Sequence, residues 1–185
     1  MLKENKEASC THEGIKLDVG CGPKVREGYL GVDIRPAPHI TYCCNAWEVN
    51  QFVPENSVTA IYSRHFFEHL TFPQAAMTLK AWMHVLHPGG TIEIIVPDLR
   101  FHVEQYLQPS ERSITNPKWS NLQHAMAGFY GWQREADVSY WDVHKSGYDF
   151  EQLHSVLAEH GFSNINRIPD EPWNLHVEAQ KPATS

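Results

Sequence analysis

The chain has 185 residues, 42% of them hydrophobic and 20% charged, which fits one globular domain and excludes a disordered, collagenous or coiled-coil chain. Its formal net charge of -7 argues against a nucleic-acid partner, because an acidic surface is repelled by a phosphate backbone. The 12 histidines qualify that argument, since protonating all of them would make the chain positive.

Residues 1–13 are polar and read as a flexible leader ahead of a single domain over 14–185. The charged N-terminus carries no apolar segment of signal-peptide type, and the strongest apolar run, 92–96, is only strand-sized. No membrane span is expected, and the expected location is the cytoplasm. Cys10, Cys21, Cys43 and Cys44 then read as reduced thiols. With two of them adjacent and no Cys-x-x-Cys pair, neither a disulfide framework nor a metal site is expected.

Residues 15–19 form a short strand running into Gly20-Cys-Gly-Pro23, a sharp loop. A second strand over 29–34 is stopped by Arg35-Pro-Ala-Pro38, and a weaker third covers 39–43. After a turn at 54–57 comes a β-branched and aromatic strand at 58–63. Ala75, Leu79, Trp82, Met83 and Leu86 then recur at helical spacing, with Pro88-Gly-Gly90 expected to end that helix. A fifth strand follows at 91–96 and a helix at 99–107. The least regular part is 108–148, with one helix around 121–130. A helix over 149–160 closes at Gly161, and two strands near 164–168 and 175–180 end the chain. Such alternation predicts an α/β fold with a mostly parallel sheet, whose ligands bind outside the carboxyl ends of the strands.

Gly20 and Gly22 stand where the chain must turn and let a ligand near the backbone. Eleven residues beyond Gly22, Asp33 ends the next strand, where a carboxylate can accept both hydroxyls of a ribose. An ordinary tight turn and a strand-end cap would explain each alone; their pairing favours a nucleoside site. A dinucleotide loop needs a further glycine where Val25 stands, and a phosphate loop needs Gly-Lys-Ser/Thr, which is absent. Asp18 suggests instead a ligand with a positive amino group, such as S-adenosylmethionine.

Leu17-Asp-Val-Gly-Cys-Gly-Pro23, Gly31-Val-Asp-Ile34, Ser63-Arg-His-Phe-Phe-Glu-His-Leu70 and Leu86-His-Pro-Gly-Gly-Thr91 resemble the motifs of class I S-adenosylmethionine-dependent methyltransferases. With His144-Lys-Ser-Gly-Tyr-Asp149 and Gly161-Phe162, the order is similar to a compact bacterial subgroup of predicted methyltransferases, of the type 11-like kind, over about 15–180. The resemblance implies a Rossmann-like sheet with an antiparallel last strand. It implies that Asp18, Gly20, Cys21 and Gly22 hold the methionine part of the cofactor. Asp33, with Ile34, would bind the ribose, Asn45 and Ala46 would meet the adenine, and Ser63, Arg64 and His65 would line the methyl group. Two departures stand out. Lys24 replaces an expected glycine, and only six residues separate the loop from the second strand. A parallel crossover normally takes a dozen or more, so the first crossover helix is expected to be abbreviated and the pocket more open there.

His65-Phe-Phe-Glu-His69 also spells the H-x-x-E-H pattern of inverted zinc peptidases, a remote alternative because the first histidine comes directly off a strand. Methyl transfer needs alignment of acceptor and sulfonium, and a hydroxyl or amine acceptor also needs a base. His65 and His144 are the candidates, each equally open to a structural role. Seven aromatics (Trp119, Phe129, Tyr130, Trp132, Tyr140, Trp141 and Tyr148) crowd 119–148. They read as a satellite core, or as a lid and acceptor wall within 108–148, or as a contact patch, leaving monomer and homodimer both open. The expected activity is methyl transfer to a small-molecule acceptor, a saccharide or another metabolite. The alternative is a non-catalytic binding subunit on the same fold.

Overall fold

In a computed structural model, residues 14–109, 118–133 and 142–183 are described. The leader at 1–13, and Arg134, Glu135, Asp137, Tyr140 and Trp141 of the aromatic segment, lie outside them. Seven strands form one sheet: β1 (Ile15–Val19), β2 (Leu30–Asp33), β3 (Ile40–Cys43), β4 (Val58–Arg64), β5 (Leu86–Pro97), β6 (Ser163–Ile168) and β7 (Asn174–Gln180). Their order is β3-β2-β1-β4-β5-β7-β6, and β7 runs antiparallel between β5 and β6. β1 to β5 are parallel, so the strand order reverses at β1. The crevice for a ligand opens at its carboxyl end.

Among the described residues, four α-helices are placed by local chemistry. In α1 (Phe72–Val85), Thr71 and Gln74 form a reciprocal capping box with Pro73 in the first turn. Asp98 caps α2 (Leu99–Leu107) by accepting from the Arg100 and Phe101 N–H groups. Ser120 and Asp149 cap α3 (Asn121–Tyr130) and α4 (Phe150–Glu159). One expectation needs correction. Pro88-Gly-Gly90 does not end the helix, which stops at Val85, and these residues instead belong to the start of β5. The pairing with β4 breaks register between Val58 and Ala60, which makes room for the proline in the strand. A 3-10 helix at Ala46–Gln51, unmarked by any strong periodicity, follows β3.

The two faces of the sheet differ. Leu17, Val19, Ile61, Ile92, Ile94, Val96, Val177 and Ala179 face a core completed by Leu79 and Trp82 of α1 and Leu153 and Leu157 of α4. The residues alternating with them on β4, β5 and β7 are Tyr62, Arg64, Glu93 and His176, which line an open groove of about 800 Å³. There the Arg26 guanidinium lies 4.2 Å from the Tyr62 ring and pairs with Glu93 at 3.0 Å. His176 stands between Glu93 and Asp170. No helix joins β1 to β2: the connection is turns alone, as the short spacing predicts. Among the described residues no helix is long and apolar enough to cross a membrane.

Candidate functional site

Two cavities meet at the carboxyl edge of the sheet. The smaller, about 120 Å³, lies over the ends of β1, β2 and β3 and is lined by Gly20, Asp33, Ile34, Asn45, Ala46 and His65 among others, with Trp47, Phe66 and Leu70 as apolar wall. At Gly20 the chain takes φ +71°, and a Cβ there would lie 2.2 Å from the Phe66 ring. Glycine is therefore demanded twice over, by backbone conformation and by an aromatic arriving from the end of β4.

The acidic residues of this region are tied to the backbone. Asp18 accepts the Arg26 N–H at 2.7 Å; burial raises its pKa against the pull of Arg26. Asp33 takes the Gly22 N–H on Oδ2 at 3.0 Å and the Arg35 N–H on Oδ1 at 2.9 Å, with Arg35 Nε at 3.4 Å. It pins the glycine loop to the end of β2 while keeping an edge on the pocket. Asn45 Nδ2 donates to Glu48 Oε2 at 2.9 Å, which orients the amide. The other expected cofactor residues are spread around this pocket. Asp18, Cys21 and Arg64 border the groove on the opposite side, Ser63 is fully buried, and Gly22 lies in the loop that Asp33 holds. Burial, with the charges of Asp18 and Asp33 beside it, pushes the Cys21 thiol up to about 11.

The larger cavity, about 570 Å³, is rich in histidine: His65, His69, His102, His124 and His144 line it, with Trp119, Trp132 and Trp173. It is built by close packing of α3 on α2. A Cβ at Gly128 would lie 2.4 Å from the His102 ring, so only glycine lets the helices approach at that point. Burial, and then the neighbouring His124, drive the His102 pKa down to about 4. Burial also lowers His124 and His144. The two rings of His102 and His124 meet edge to face at 4.9 Å.

At the wall between the cavities lies Glu68, only 1% exposed, in a 3-10 turn at Phe67–His69. The segment after α3 clamps this turn: the Lys145 and Ser146 N–H groups donate to Glu68 O at 2.8 and 3.1 Å, and Lys145 Nζ donates to His69 O at 2.9 Å. The nearest nitrogens to the carboxylate are His65 Nδ1 at 3.4 Å and His144 Nε2 at 3.9 Å. Burial alone would raise the Glu68 pKa, but the His65 ring, and the charge that His69, His65 and His144 carry when protonated, outweigh it and hold the pKa below the ordinary value. His65 itself adopts φ +49°, a left-handed conformation uncommon outside glycine. His65, His69 and Asp142 border both cavities.

The expected His65 and His144 thus come together on either side of Glu68. His102, His124, Trp173 and Asn174 were not expected, because no local motif marks them; only the fold brings residues 65, 102, 124, 144 and 173 to one space. The zinc-peptidase alternative loses its geometric basis. His65 precedes the three-residue turn, so it and His69 do not lie on one face of a helix as that site requires.

No family model matches the sequence, and no curated protein matches it significantly. Solved structures do. An S-adenosylmethionine-dependent methyltransferase from Archaeoglobus fulgidus superposes with a TM-score of 0.59 at 16% identity, over 91% of this chain and 86% of that one. The chain has the class I methyltransferase fold. The Burkholderia thailandensis 1,6-didemethyltoxoflavin-N1-methyltransferase, solved with its substrate and S-adenosylhomocysteine, shares that methyltransferase fold at 14% identity and a TM-score of 0.57, over 91% and 71% of the two chains. A possible exported protein of Bordetella parapertussis matches at 15% identity and 0.60; the chain covers 92% of itself there but only 62% of that protein, less than two thirds.

Proposed function

We propose that this protein transfers a methyl group from S-adenosylmethionine to a small-molecule acceptor. The observation that carries the reading is the pair of cavities meeting at His65 and His69 on the carboxyl edge of a class I methyltransferase sheet. One is narrow, apolar-walled and acidic at its rim; the other is roomier and lined by both histidine and tryptophan. The residues present fit the nucleoside end of the cofactor. The Asp33 carboxylate supplies acceptor oxygens for a ribose, and the wall made by Ala46, Trp47 and Leu70 suits an adenine. Bound there, the cofactor would supply an electrophilic methyl group on a sulfonium whose leaving group is a neutral thioether.

The chain's own residues would then orient the acceptor and take its proton. His65 borders both cavities, and the Glu68 carboxylate 3.4 Å from its Nδ1 favours the proton on that nitrogen, which would leave Nε2 to accept one. His144 is the second candidate. It donates Nδ1–H to Gly128 O at 2.8 Å, and burial keeps it neutral at pH 7. The lid-and-wall role of 108–148 is supported by Trp119, His124 and Trp132 on the acceptor side. A small polar acceptor, a saccharide or another metabolite reacting through O or N, suits that lining, in a cytoplasmic chain with reduced thiols.

Release of S-adenosylhomocysteine across a panel of hydroxyl and amine acceptors tests the reading; because His65 borders both cavities, His65→Asn should lower turnover at least tenfold and by more than it weakens cofactor binding. One observation favours the second reading, a non-catalytic binding subunit: the Phe66 ring covers Gly20, and the Asp33 oxygens already hold three N–H groups. Cofactor binding with no release against any acceptor would decide for it.

A further inference from the structure

We propose that Glu68, His69 and His144 form a binding site for one divalent transition-metal cation at the junction of the two cavities. One ligand atom from each of the three residues lies within 4.8 Å of the others. That is about 1.4 Å wider than the roughly 3.4 Å between ligands of a tetrahedral zinc-type ion, whose bonds are about 2.0–2.2 Å, so binding would draw the three side chains together by rotation.

Two further observations point to a ligand. The first is the carboxylate itself. Glu68 is 1% exposed and borders the cavity, and among the described residues neither oxygen is met at good hydrogen-bond geometry: the two imidazoles, at 3.4 and 3.9 Å, both approach Oε1. A buried carboxylate so loosely met is costly unless a cation or donor comes closer. The second is the orientation of the rings. His144 Nδ1 is 2.8 Å from Gly128 O, and His69 Nδ1 is 3.3 Å from Val143 O. A carbonyl oxygen only accepts, so each Nδ1 carries the proton and each Nε2 presents a lone pair. Backbone carbonyls holding Nδ1–H in this way are the usual support behind a metal-ligating histidine. Imidazole and carboxylate donors suit zinc, iron, cobalt or nickel better than magnesium or calcium.

Three protein ligands leave coordination positions open, as in sites that receive a substrate or water rather than purely structural ones. Those positions face the 570 Å³ cavity. The ligand class they suit is an acceptor with two neighbouring oxygen atoms, able to chelate. This assignment of an acceptor rests on the methyl-transfer reading; the cation site does not.

The test uses the full untagged chain, stripped with chelator, dialysed against Co(II) and passed over a desalting column. We expect about one equivalent of cobalt retained, with visible absorption of nitrogen–oxygen coordination. His144→Ala and His69→Ala should each weaken binding about 100-fold or more, and the near-isosteric Glu68→Gln should do the same. His102→Ala, from the other histidine pair of the cavity, should change it less than about threefold. Thermal melts confirm that each variant is folded, and the half-exposed His69 site keeps the test open if the Glu68 variant is not. Retention below a tenth of an equivalent, or equal losses in His102→Ala and His144→Ala, would overturn the site. Acetohydroxamate, a two-oxygen chelator, should shift the cobalt band; an unchanged band would overturn the open positions and with them the chelating acceptor. Because no nucleoside is present, cobalt binding without S-adenosylhomocysteine binding, or the reverse, separates this inference from the methyl-transfer reading.

Discussion

Asp33 and Glu68 are both buried carboxylates at the carboxyl edge of the same sheet, at the end of β2 and just after β4. They differ in what they meet. Asp33 holds the Gly22 and Arg35 N–H groups and so finishes the glycine loop. Among the described residues the Glu68 carboxylate meets imidazole edges at 3.4 and 3.9 Å, although the backbone around it is held by hydrogen bonds from Lys145 and Ser146. The glycine-loop region is completed by its own chain, with the ligand invited to an edge. The histidine cavity has a rigid frame around polar groups that lack partners. On the proposed reading, a region of the first kind would mostly set stability and cofactor affinity, and one of the second kind would handle an acceptor, a proton or a cation.

The largest effect should come from the glycine loop. Gly20→Ala forces a side chain into the Phe66 ring at φ +71° and should cost about 3 kcal/mol or more, a fall in Tm of roughly 6–12 °C. Gly28→Ala makes a control at φ +78° with nothing within 4 Å and should cost about 1 kcal/mol. Urea melts of the pair separate close approach from backbone strain.

The histidine cavity should instead answer to pH. His102, buried beside His124 with Asp98 and His144 nearby, has its pKa lowered from 6.5 to about 4, so the unfolded chain binds the proton more readily. Its contribution is therefore present above about pH 6.5 and is lost as pH falls toward 4, by at most about 3 kcal/mol. Urea melts at pH 7 and pH 5 should show this slope, and His102→Asn should flatten it. An equal slope in the variant would shift the effect to the other histidines whose pKa burial lowers, His124 and His144.

A sharper contrast concerns binding. Asp33→Ala should weaken S-adenosylhomocysteine about 30-fold in a calorimetric titration, an effect of about 2 kcal/mol, whereas Glu68→Gln should change it less than about threefold. Reversed effects would exchange the roles of the two regions. The smallest effect is chemical. Burial lifts the thiols of Cys21 and Cys44 to about 11, so at pH 8 iodoacetamide should leave both unmodified while the exposed Cys43 reacts.

The same contrast explains how much was legible from the residues. The glycine loop, Asp33 and the strand ends were readable because they are written locally: a short strand, two glycines, then a second strand at fixed spacing. The missing first helix was readable too, from six residues that cannot hold a crossover. The helices expected at 99–107 and around 121–130 stand at those positions, and the caps Asp98 and Ser120 that fix their starts emerge in the structure. The histidine cavity was not readable, because its residues lie scattered from 65 to 174 and meet only where Gly128 lets α3 close on α2. His144 was visible through its motif; its convergence with Glu68 and His69 was not. The start of β5 misled for a local reason: Pro88-Gly-Gly90 reads as a stop, yet the buried Leu86 draws the chain directly from helix into sheet.

The most direct test of the account is a thermal-shift titration of the intact chain with S-adenosylmethionine and S-adenosylhomocysteine, with NAD as control. At one hundred times Kd, binding should add about 2.7 kcal/mol, which for a domain of this size is roughly 5–10 °C. The account predicts that shift with both sulfur nucleosides and none with NAD. No shift with either at millimolar concentration would contradict the cofactor site, and the methyl-transfer reading would fall with it.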